Sequence, residues 1–502
     1  MSGCVFPVPG ATTPEVLAAV AATHPDREFV VAEDGRASYG EVAVRAAALA
    51  TRLRAAGVQP GDRVGLSLPN GLRWVVGLLG AHAAGACALP LNTWYKPAEF
   101  DAVLKRATPR VVLTPENYDA FGGDDISTPC TEDDISSALE TLRAAPAGET
   151  DLALLLFTSG SSAEPKAVPL TQGGMVSTAR AVGERQGIRD GDRFWFALPL
   201  FFVFGCSNAL PNALVHGATL CVQERFEPAA ALEFIERERC TVYYGVAPVT
   251  RALAAHPDLA RRDISSLRTG TANATPEDLR IAIEELGVTD VCNAYGLTEG
   301  HGHSTITAHT DPPAIRMATQ GTPLPTQEVR IVGEDGAPAP AGTTGHIQIR
   351  GTITPGYLDA PEQNATAFDP DGWFRTGDLG WFDDAGRLHY IGRSYEMIKS
   401  KGINISPAEV EALLVQHAEV DQAFVFCVET DTGDQDVGAV LVTTTVEHDR
   451  LAKEVVDWAR ERISTYKVPR RTWVLTADQL PLTPTGKVSK RLLRDQVLTP
   501  ST

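Results

Sequence analysis

Residues 152–166 read LALLLFTSGSSAEPK, an apolar run that changes abruptly into a loop of small polar residues. The apolar half, Leu152–Phe157, is typical of a buried β-strand. The loop combines hydroxyl side chains, one glycine and Lys166, so its N–H groups and hydroxyls can face phosphate oxygens while the lysine adds a positive charge. Pro165 and Ala167 stand where a Walker A loop requires glycine and then serine or threonine, which excludes that motif. Taken alone, the stretch fits a phosphate-binding loop and a serine-rich surface turn equally well.

Strand and helix patterns alternate on both sides of this stretch. Short runs of β-branched and apolar residues are followed by Ala-, Leu- and Arg-rich runs with helical spacing, through roughly the first 300 residues. This alternation predicts an α/β fold with largely parallel sheets. Strands are predicted at Val64–Leu68, Arg110–Leu113, Leu152–Phe157, Thr219–Val222 and Thr241–Tyr244, and helices at Glu41–Ala56 and Ala229–Glu238.

Three helix starts carry capping signals. Thr13-Pro14 fits an N-cap followed by proline in the first turn. Ser38 with Glu41 fits a capping box. Ser406-Pro407-Ala408-Glu409 combines both signals and is followed by an apolar stripe with helical spacing, so a helix is predicted there.

The pattern changes after Gln327. The segments Val329–Val332, His346–Arg350 and Leu388–Ile391 are separated by Gly, Asp and Pro turns, which predicts antiparallel β-structure. The C-terminal remainder predicts a small α+β unit with its own core. At 502 residues, the chain also exceeds the size at which one hydrophobic core stops growing, so several folding units are expected.

Composition limits the classes of partner. The formal net charge of −19 disfavours non-specific binding to nucleic acid or to an anionic membrane, because both require a basic surface. Two uncharged stretches, Trp74–Tyr95 and Phe194–Gln223, are interrupted by proline, asparagine and histidine, which favours buried strands and helices over membrane spans. The N-terminus lacks a basic region followed by an apolar run, so no signal peptide is predicted and a cytoplasmic location is expected.

The sequence offers little support for a structural metal site. The eight cysteines are scattered without a CxxC pair, which favours buried free thiols over disulfides or metal ligands. His301 and His303 could hydrogen-bond a polar substituent of a bound molecule or bind a metal, and the lack of a third ligand disfavours the metal.

Further segments with chemically useful residues follow the loop. NAYGLTE at 293–299 joins an aromatic ring, a turn glycine and a carboxylate, and WFRTGDL at 373–379 places one acid in a tight turn. The ordered set resembles the adenylate-forming superfamily, which includes acyl-CoA synthetases, peptide-synthetase adenylation domains and luciferases. This resemblance covers essentially the whole chain. Its other segments are Ala84–Asn92, Gly392-Arg393, Ile398–Glu411 and Pro484–Lys487.

The resemblance implies how ATP is bound. Tyr295 would stack on the adenine, and Asp378 would accept hydrogen bonds from the ribose hydroxyls, with Arg393 nearby. Simpler interpretations stay open for two of these residues, because Tyr295 also fits a core position and Asp378 also fits a turn. The other residues implied to bind the nucleotide are Thr158, Ser159, Gly160, Ser161, Ser162, Lys166, Asn293, Gly296, Thr298 and Lys487.

Four of the matching residues are implied to act in catalysis. Lys166 would bind the β- and γ-phosphates, Thr298 would contact the α-phosphate, and Glu299 would hold Mg²⁺. Lys487 would reach from the small domain to the substrate carboxylate and the α-phosphate, although it also fits a solvated charge near the end of the chain. A carboxylate oxygen would attack the α-phosphorus, pyrophosphate would leave, and a thiolate would then attack the mixed anhydride and release AMP.

The resemblance also completes the expected fold. It implies an α/β chain whose large N-terminal domain of layered sheets and helices, with a β-barrel-like portion, spans 1–392. A hinge at 393–396 would connect this domain to a small mobile α+β domain at 397–502. Since Lys487 serves only the first half-reaction, the small domain would rotate between the two halves. Tyr395 stands where the family hinge usually has aspartate or lysine.

The expected acid pocket is apolar. Phe202 and Phe204 predict a small aromatic, alicyclic or apolar acid, and each ring fits an ordinary core position equally well. Phe202 stands where many acyl-CoA synthetases carry histidine, and Asn273 replaces a common proline. The predicted pocket residues are Phe202, Phe204, Tyr244, Gly245, Gly270, Thr271 and His301.

The resulting expectation is an enzyme that uses ATP and Mg²⁺ to activate a carboxylic acid as its acyl-adenylate and then transfers the acyl group to the thiol of CoA. Acyl transfer to a carrier-protein phosphopantetheine remains an alternative. Activation of a non-carboxylate oxyanion and a catalytically silent binding protein are two further alternatives. The sequence does not predict the oligomeric state.

Overall fold

A computed structural model describes residues 12–122, 130–158, 165–273, 275–394, 398–400, 403–429, 435–444, 448–482 and 488–498. The chain forms two compact units. The larger comprises Met1–Arg330, Gln348–Phe374 and Asp383–Leu388, and the smaller comprises Ile331–Ile347, Arg375–Phe382 and His389–Thr502. The expected α/β class, with a large N-terminal and a small C-terminal domain, is confirmed. The predicted hinge at 393–396 lies partly outside the described residues, and the domain bounds of 392 and 397 stay predictions.

Local capping sets where the first helices begin. The N–H of Ser38 donates to Glu41 Oε2 at 2.8 Å and the N–H of Glu41 donates to Ser38 Oγ at 3.2 Å, so the predicted capping box is confirmed. The first helix is capped by Thr12 and not by Thr13, because the Glu15 carboxylate accepts the N–H of Thr12 at 2.9 Å. The elements of this region are α1 (Thr13–Thr23), β1 (Glu28–Ala32), β2 (Gly35–Ser38), α2 (Tyr39–Ala55), β3 (Arg63–Leu66), α3 (Leu72–Ala83), β4 (Cys87–Pro90), α4 (Pro97–Ala107), β5 (Val111–Leu113), α5 (Tyr118–Gly122), α6 (Glu132–Arg143), β6 (Leu152–Thr158) and β7 (Lys166–Thr171).

A five-stranded sheet carries the predicted phosphate loop. Its strand order is β5-β3-β4-β6-β7, parallel except for the antiparallel pair β6–β7. The strand predicted at Leu152–Phe157 is therefore confirmed as β6. Within the antiparallel pair, Thr158 lies opposite Lys166. The sheet thus fixes both ends of the loop, whose residues 159–164 lie outside the described part of the chain.

A seven-stranded sheet forms the second layer of the larger unit. The remaining predicted strands and the predicted helices are found within two residues of their expected bounds. The described elements are α7 (Gln172–Gln186), β8 (Arg193–Phe196), α8 (Leu210–Val215), β9 (Thr219–Val222), α9 (Pro228–Glu238), β10 (Val242–Val246), α10 (Ala247–Ala254), β11 (Thr269–Asn273), α11 (Pro276–Glu284) and β12 (Asp290–Cys292).

The strand order of this sheet is β12-β11-β10-β8-β9-β1-β2, and all its pairs are parallel except β1–β2. Trp195 on β8 stacks on Tyr243 of β10 with ring centroids 5.4 Å apart, inside a core that α9, α10 and α11 also line. The two uncharged stretches form buried strands and helices, as predicted. Among the described residues, no helix combines the length and the apolar character needed to cross a bilayer.

Shorter strands follow the second sheet. The three-stranded sheet β13-β14-β15 is antiparallel, and a four-stranded sheet has the order β16-β17-β18-β19. The predicted strands at Val329–Val332, His346–Arg350 and Leu388–Ile391 lie within three of these strands. The elements are β13 (Ala294–Tyr295), β14 (Thr305–Ile306), α12 (Pro313–Ala318), β15 (Thr322–Pro323), β16 (Gln327–Val332), β17 (Gly345–Gly351), α13 (Pro361–Ala367), β18 (Phe374–Phe382) and β19 (Leu388–Arg393).

The C-terminal part has its own core, as predicted. Ser406 caps the predicted helix, because its hydroxyl accepts the N–H of Glu409 at 3.4 Å. Val410 and Leu414 from this helix pack against Val425 and Leu441 from the neighbouring sheet. The elements are β20 (Ile398–Ser400), β21 (Ile403–Ile405), α14 (Pro407–Leu414), β22 (Gln422–Glu429), β23 (Gln435–Val442), α15 (His448–Arg460), β24 (Arg471–Leu475) and α16 (Lys490–Leu498).

A buried histidine ties three elements of the larger unit together. His82 on α3 is fully buried; its Nε2 donates to the carbonyl of Ala153 on β6 at 2.9 Å, and its Nδ1 accepts from the Thr13 hydroxyl of α1 at 2.6 Å. Burial lowers the pKa of His82 to about 4, so the ring is neutral at pH 7. Protonation would place an uncompensated charge in the core.

We expect acidification to destabilise the protein partly through His82. Between about pH 6.5 and pH 4 the unfolded chain binds a proton at this residue that the folded chain does not, so stability falls as pH is lowered through this window. The free energy of unfolding of His82→Gln, measured by urea denaturation, should therefore depend less on pH than that of the wild type. The difference in slope corresponds to about one proton, or ~1.4 kcal/mol per pH unit. His346→Gln, at a side chain that is 37% exposed, is the matched control. Equal pH slopes for His82→Gln and wild type would contradict this assignment.

Candidate active site

A tyrosine hydroxyl lies between the loop lysine and the predicted magnesium ligand. Lys166 Nζ is 3.4 Å from Tyr357 Oη and 4.6 Å from the centroid of its ring. Tyr357 Oη in turn donates to Glu299 Oε1 at 2.7 Å. The direction of both hydrogen bonds follows from chemistry, since the ammonium can only donate and the carboxylate can only accept. The structure therefore brings two predicted residues, Lys166 and Glu299, to one tyrosine that the sequence analysis did not select.

Backbone contacts hold this group in place. The N–H of Thr354 donates to the carbonyl of Glu299 at 2.7 Å, and the Thr354 hydroxyl donates to the carbonyl of Pro169 on β7 at 2.8 Å. Asn364 on α13 fixes Tyr357 from both sides: its Oδ1 accepts the N–H of Tyr357 at 2.7 Å and its Nδ2 donates to the tyrosine carbonyl at 2.9 Å. Glu299 and Tyr357 are thus tied to the strand that follows the loop.

The segment containing Glu299 turns sharply after β13. Tyr295 is 6% exposed on β13, and Thr298 and Glu299 are half-buried in a 3₁₀ turn at Thr298–Gly300. Gly296 is required between them, because a Cβ at this position would lie 2.1 Å from the carbonyl oxygen of Gly302. Asn293 is buried, and its Nδ2 donates to the Thr319 carbonyl at 3.1 Å, so it anchors the start of the segment.

The predicted ribose ligand is a buried acid of the smaller unit. Asp378 is 1% exposed, and its Oδ1 lies 3.0 Å from Nε of Arg393. Arg393 also donates from Nη1 to the carbonyl of Thr376 at 3.0 Å, and the Thr376 hydroxyl accepts the N–H of Asp378 at 3.1 Å. The prediction that Asp378 sits in a tight turn is wrong: it lies within strand β18, where Gly377, with φ of +76°, accommodates the local irregularity. Asp378 and Arg393 are brought together, as predicted.

Four predicted pocket residues meet on neighbouring strands. In the β10–β11 register, Tyr244 lies opposite Thr271 and Gly270 lies opposite Tyr243. Only glycine fits at 270, since a Cβ there would lie 1.9 Å from the Tyr243 carbonyl oxygen. Gly245 follows Tyr244 on the same strand, and a Cβ there would lie 2.1 Å from the Tyr243 hydroxyl. The strand register thus places Tyr244, Gly245, Gly270 and Thr271 side by side.

Tyr244 and Thr271 belong to a buried polar network. Asn212 donates from Nδ2 to the Tyr244 hydroxyl and to Gln186 Oε1, both at 2.8 Å. Gln186 donates from Nε2 to Thr271 Oγ1 at 2.7 Å. Burial raises the pKa of Tyr244, so its hydroxyl stays neutral. Neither Gln186 nor Asn212 is predicted from the sequence; Asn212, an uncharged polar residue in the apolar helix α8, carries the clearer signal of such a network, whereas Gln186 ends α7 beside two charged residues.

Aromatic rings surround the chain before α8. Phe204 begins a π-helix at Phe204–Ala209, a conformation that is frequent at functional sites. Its ring centroid is 5.1 Å from that of Tyr244 and 6.2 Å from that of His303. Phe202 lies 6.2 Å from Trp94, whose side chain is half-exposed. Phe204 and Tyr244 are therefore close to each other, and no ring contact joins Phe202 to either of them within the described residues.

Two buried histidines lie near this segment, and of the two only His303 has a ring contact with Phe204 among the described residues. His301 has φ of +57° and is fully buried, and burial lowers its pKa to about 3. His303 is also fully buried with a pKa lowered to about 4 for the same reason, and its Nδ1 makes a short hydrogen bond with Asn208 Oδ1. Asn208 donates to the His301 carbonyl at 3.0 Å. Both histidines are singled out by the sequence, but the contact between His303 and Asn208 is not.

The described residues fit a magnesium ion that is shared with substrate phosphates. No group of three or more His, Cys, Asp or Glu residues among them could hold a metal ion by itself. Glu299 Oε1 is occupied by Tyr357, whereas Oε2 makes no hydrogen bond to any other described residue. One carboxylate oxygen beside a lysine is typical of Mg²⁺ sites in which phosphates and water complete the coordination.

Several predicted residues cannot be placed in this geometry. Ser159, Gly160, Ser161, Ser162, Lys487 and Tyr395 lie outside the described residues. Five of the seven cysteines within the described ranges are buried, namely Cys87, Cys206, Cys221, Cys240 and Cys292.

Known proteins share both parts of this chain. Residues 17–358 match the family of AMP-binding enzymes, and residues 409–487 match the C-terminal domain of the same enzymes. The chain is 33% identical to 3-[(3aS,4S,7aS)-7a-methyl-1,5-dioxo-octahydro-1H-inden-4-yl]propanoyl:CoA ligase of Mycobacterium tuberculosis, over 96% of this chain and 98% of that protein. It is also 33% identical to feruloyl-CoA synthase of an Amycolatopsis species, over 91% and 93% of the two chains.

A solved structure with a similar fold contains anthranoyl-AMP. The anthranilate CoA ligase in complex with anthranoyl-AMP superposes with a TM-score of 0.85, at 25% identity, over 99% of each chain. Sequence and structure therefore agree over nearly the full length of the chain. The chain belongs to the AMP-binding enzyme family, and within it to the AMP-forming acid–thiol ligases of the acyl-CoA synthetase type.

Proposed function

We propose that this ligase converts a small aromatic, alicyclic or apolar carboxylic acid into its acyl-adenylate and then into its CoA thioester, in the cytoplasm. The observation that carries the proposal is the Lys166–Tyr357–Glu299 group, held at the start of β7 within a chain of this family. It supplies one cation for the ATP phosphates and one carboxylate for Mg²⁺. The ligase relatives support CoA as the acceptor.

The first half-reaction joins two anions, so its main requirement is charge neutralisation. A carboxylate oxygen of the acid attacks the α-phosphorus of ATP, the bond to the bridging oxygen breaks, and pyrophosphate leaves with that oxygen. Bound Mg²⁺ supplies Lewis-acid stabilisation of the phosphates. Lys166 would hold the β- and γ-phosphates, Thr298 would contact the α-phosphate, and Lys487 would neutralise charge where the new P–O bond forms.

Nucleotide binding would use residues from several segments of the chain. Tyr295 would stack on adenine, and Asn293 and Gly296 would shape the segment that carries it. Asp378 would accept hydrogen bonds from the ribose hydroxyls, and its pairing with Arg393 orients its carboxylate.

The second half-reaction needs the CoA sulfur at the acyl carbon. The thiolate attacks that carbon, the C–O bond to phosphate breaks, and AMP leaves. Lys487 has no role in this step, so the C-terminal domain would rotate about the hinge at 393–396 to remove it. Tyr395 at this hinge would set how readily the rotation occurs.

The acid pocket would lie around Phe204, Tyr244 and the neighbouring strands β10 and β11. The described aromatic contacts favour an acid with a ring or a compact apolar body. The Nε2 atom of His303 and both ring nitrogens of His301 are buried without a hydrogen-bond partner among the described residues. Such atoms favour an acid that carries one polar substituent, because a hydrogen bond to it would remove the cost of leaving them unpaired.

Acid-dependent ATP–pyrophosphate exchange tests the reaction class. Purified protein assayed with aromatic, alicyclic and short aliphatic acids should exchange with one class, and added CoA should yield the thioester of the same acid. A phosphopantetheinylated carrier protein and a set of non-carboxylate oxyanions serve as parallel substrates. Thioester on the carrier only, or exchange with an oxyanion only, would move the assignment to the corresponding alternative. No exchange with any substrate would refute adenylation.

Lys487→Ala should separate the two half-reactions. Loss of its positive charge is expected to lower acid-dependent exchange by about a hundredfold or more, because a preorganised charge at the reacting centre has an effect of that size. Thioester formation from added acyl-adenylate and CoA should stay within about twofold of wild type, because Lys487 has no role in that half-reaction. A twofold change in rate corresponds to less than ~0.5 kcal/mol.

Lys467→Ala is the matched control for this experiment. Lys467 lies in the smaller unit and pairs with Glu409 at 2.5 Å, so its removal deletes a lysine without touching the proposed chemistry. Equal losses of both half-reactions in Lys487→Ala would contradict a role confined to adenylation.

A further inference from the structure

We propose that Tyr357 is a positioning residue that keeps Lys166 and Glu299 apart, so that each remains available to the Mg²⁺–ATP complex. This inference rests on the proposed function, because it assumes that Lys166 binds phosphate and Glu299 binds Mg²⁺. Tyr357 is not among the residues that the sequence analysis selected. Its role follows from the contacts of its hydroxyl group.

The hydroxyl occupies the space between two opposite charges. Lys166 Nζ donates to Tyr357 Oη at 3.4 Å, and Tyr357 Oη donates to Glu299 Oε1 at 2.7 Å. Lys166 and Glu299 form no direct ion pair in the described part of the chain. Because the hydroxyl has a single proton, and that proton goes to Glu299, its oxygen is left to accept from Lys166.

This arrangement leaves binding capacity on both charged groups. The ammonium group has three donors, and the described contacts use only one of them, so two can face phosphate oxygens. The carboxylate keeps Oε2 for a metal ion. A direct lysine–carboxylate pair would instead satisfy both groups with each other, and ATP and Mg²⁺ would have to break that pair in order to bind.

The rest of the tyrosine is fixed independently of substrate. Its ring is 5% exposed and packs edge-on against Phe374 with centroids 6.3 Å apart. Asn364 holds its N–H and carbonyl, and Gly356, with φ of +131°, makes the turn before it. The hydroxyl therefore has a defined position before any ligand arrives, which is the requirement for a spacer.

Tyr357→Phe tests this role because it removes the hydroxyl and keeps the ring over Lys166. We expect the Mg²⁺ concentration for half-maximal exchange to rise about tenfold, and the dissociation constant of Mg²⁺–ATP, measured by calorimetry without acid, to rise by a similar factor. The KM of the acid should not change. An unchanged Mg²⁺ dependence in a folded Tyr357→Phe protein would overturn the proposal.

Tyr39→Phe is the matched control. Tyr39 is fully buried in the larger unit, and its hydroxyl donates to the carbonyl of Ala218 at 2.8 Å, away from the ATP site. This variant should lower the melting temperature and leave the Mg²⁺ dependence as in the wild type. If it shifted the Mg²⁺ dependence as much as Tyr357→Phe does, the effect would be one of general stability and the proposal would fail.

A double-mutant cycle with Glu299→Gln isolates the spacer effect. Glutamine carries no charge and cannot form an ion pair with Lys166. Adding Tyr357→Phe to Glu299→Gln should therefore change Mg²⁺–ATP affinity by less than twofold. A full tenfold loss in this background would show that the hydroxyl acts without Glu299 and would overturn the proposal. Calorimetry needs no acid substrate, so these arms remain decisive even if the wild type activates no acid and the proposed function fails.

Discussion

The hydrogen-bond ladder between β6 and β7 is the constraint on which the proposed site depends. Because these strands are antiparallel, the chain that leaves β6 at Thr158 must return at Lys166, and the loop between them is closed by the sheet itself. The Thr354 hydroxyl then ties the segment before Tyr357 to Pro169 on β7, and the Thr354 N–H ties it to Glu299. A lysine and a carboxylate from distant parts of the sequence thus reach one tyrosine without forming an ion pair.

The sequence predicted best what depends on local pattern. The apolar strand of Leu152–Phe157, the Ser38–Glu41 capping box and the helix after Ser406 are decided by neighbouring residues, and each is found where the pattern puts it. The shift of the first N-cap to Thr12 shows the usual limit, since two adjacent threonines can both cap and only the position of Glu15 decides between them. Asp378 was misplaced because Gly377 is a turn signal in sequence, yet a strand can absorb one residue with positive φ.

Contacts made over long sequence separations could not be predicted in this way. Tyr357 is 191 residues from Lys166 and 58 from Glu299. The local sequence, a tyrosine that follows a glycine, does not indicate a contact with either residue. The network of Gln186, Asn212, Tyr244 and Thr271 likewise combines two helices and two strands. Such networks satisfy buried polar groups only when every member is present. Their members can be recognised only once the sheet register shows which residues are neighbours. The roles assigned to Lys487 and to most residues of the loop rest on motif resemblance alone.

The central claim is that the chain attacks the α-phosphorus of ATP with a carboxylate, and a single-turnover experiment tests it most directly. Enzyme in excess over ATP labelled at the α-phosphate would be mixed with Mg²⁺ and acid, without CoA, quenched and separated. One acyl-adenylate and one pyrophosphate should form for each ATP consumed, and omission of the acid should leave ATP intact. Formation of ADP, or release of AMP at the same rate without acid, would contradict the proposed chemistry.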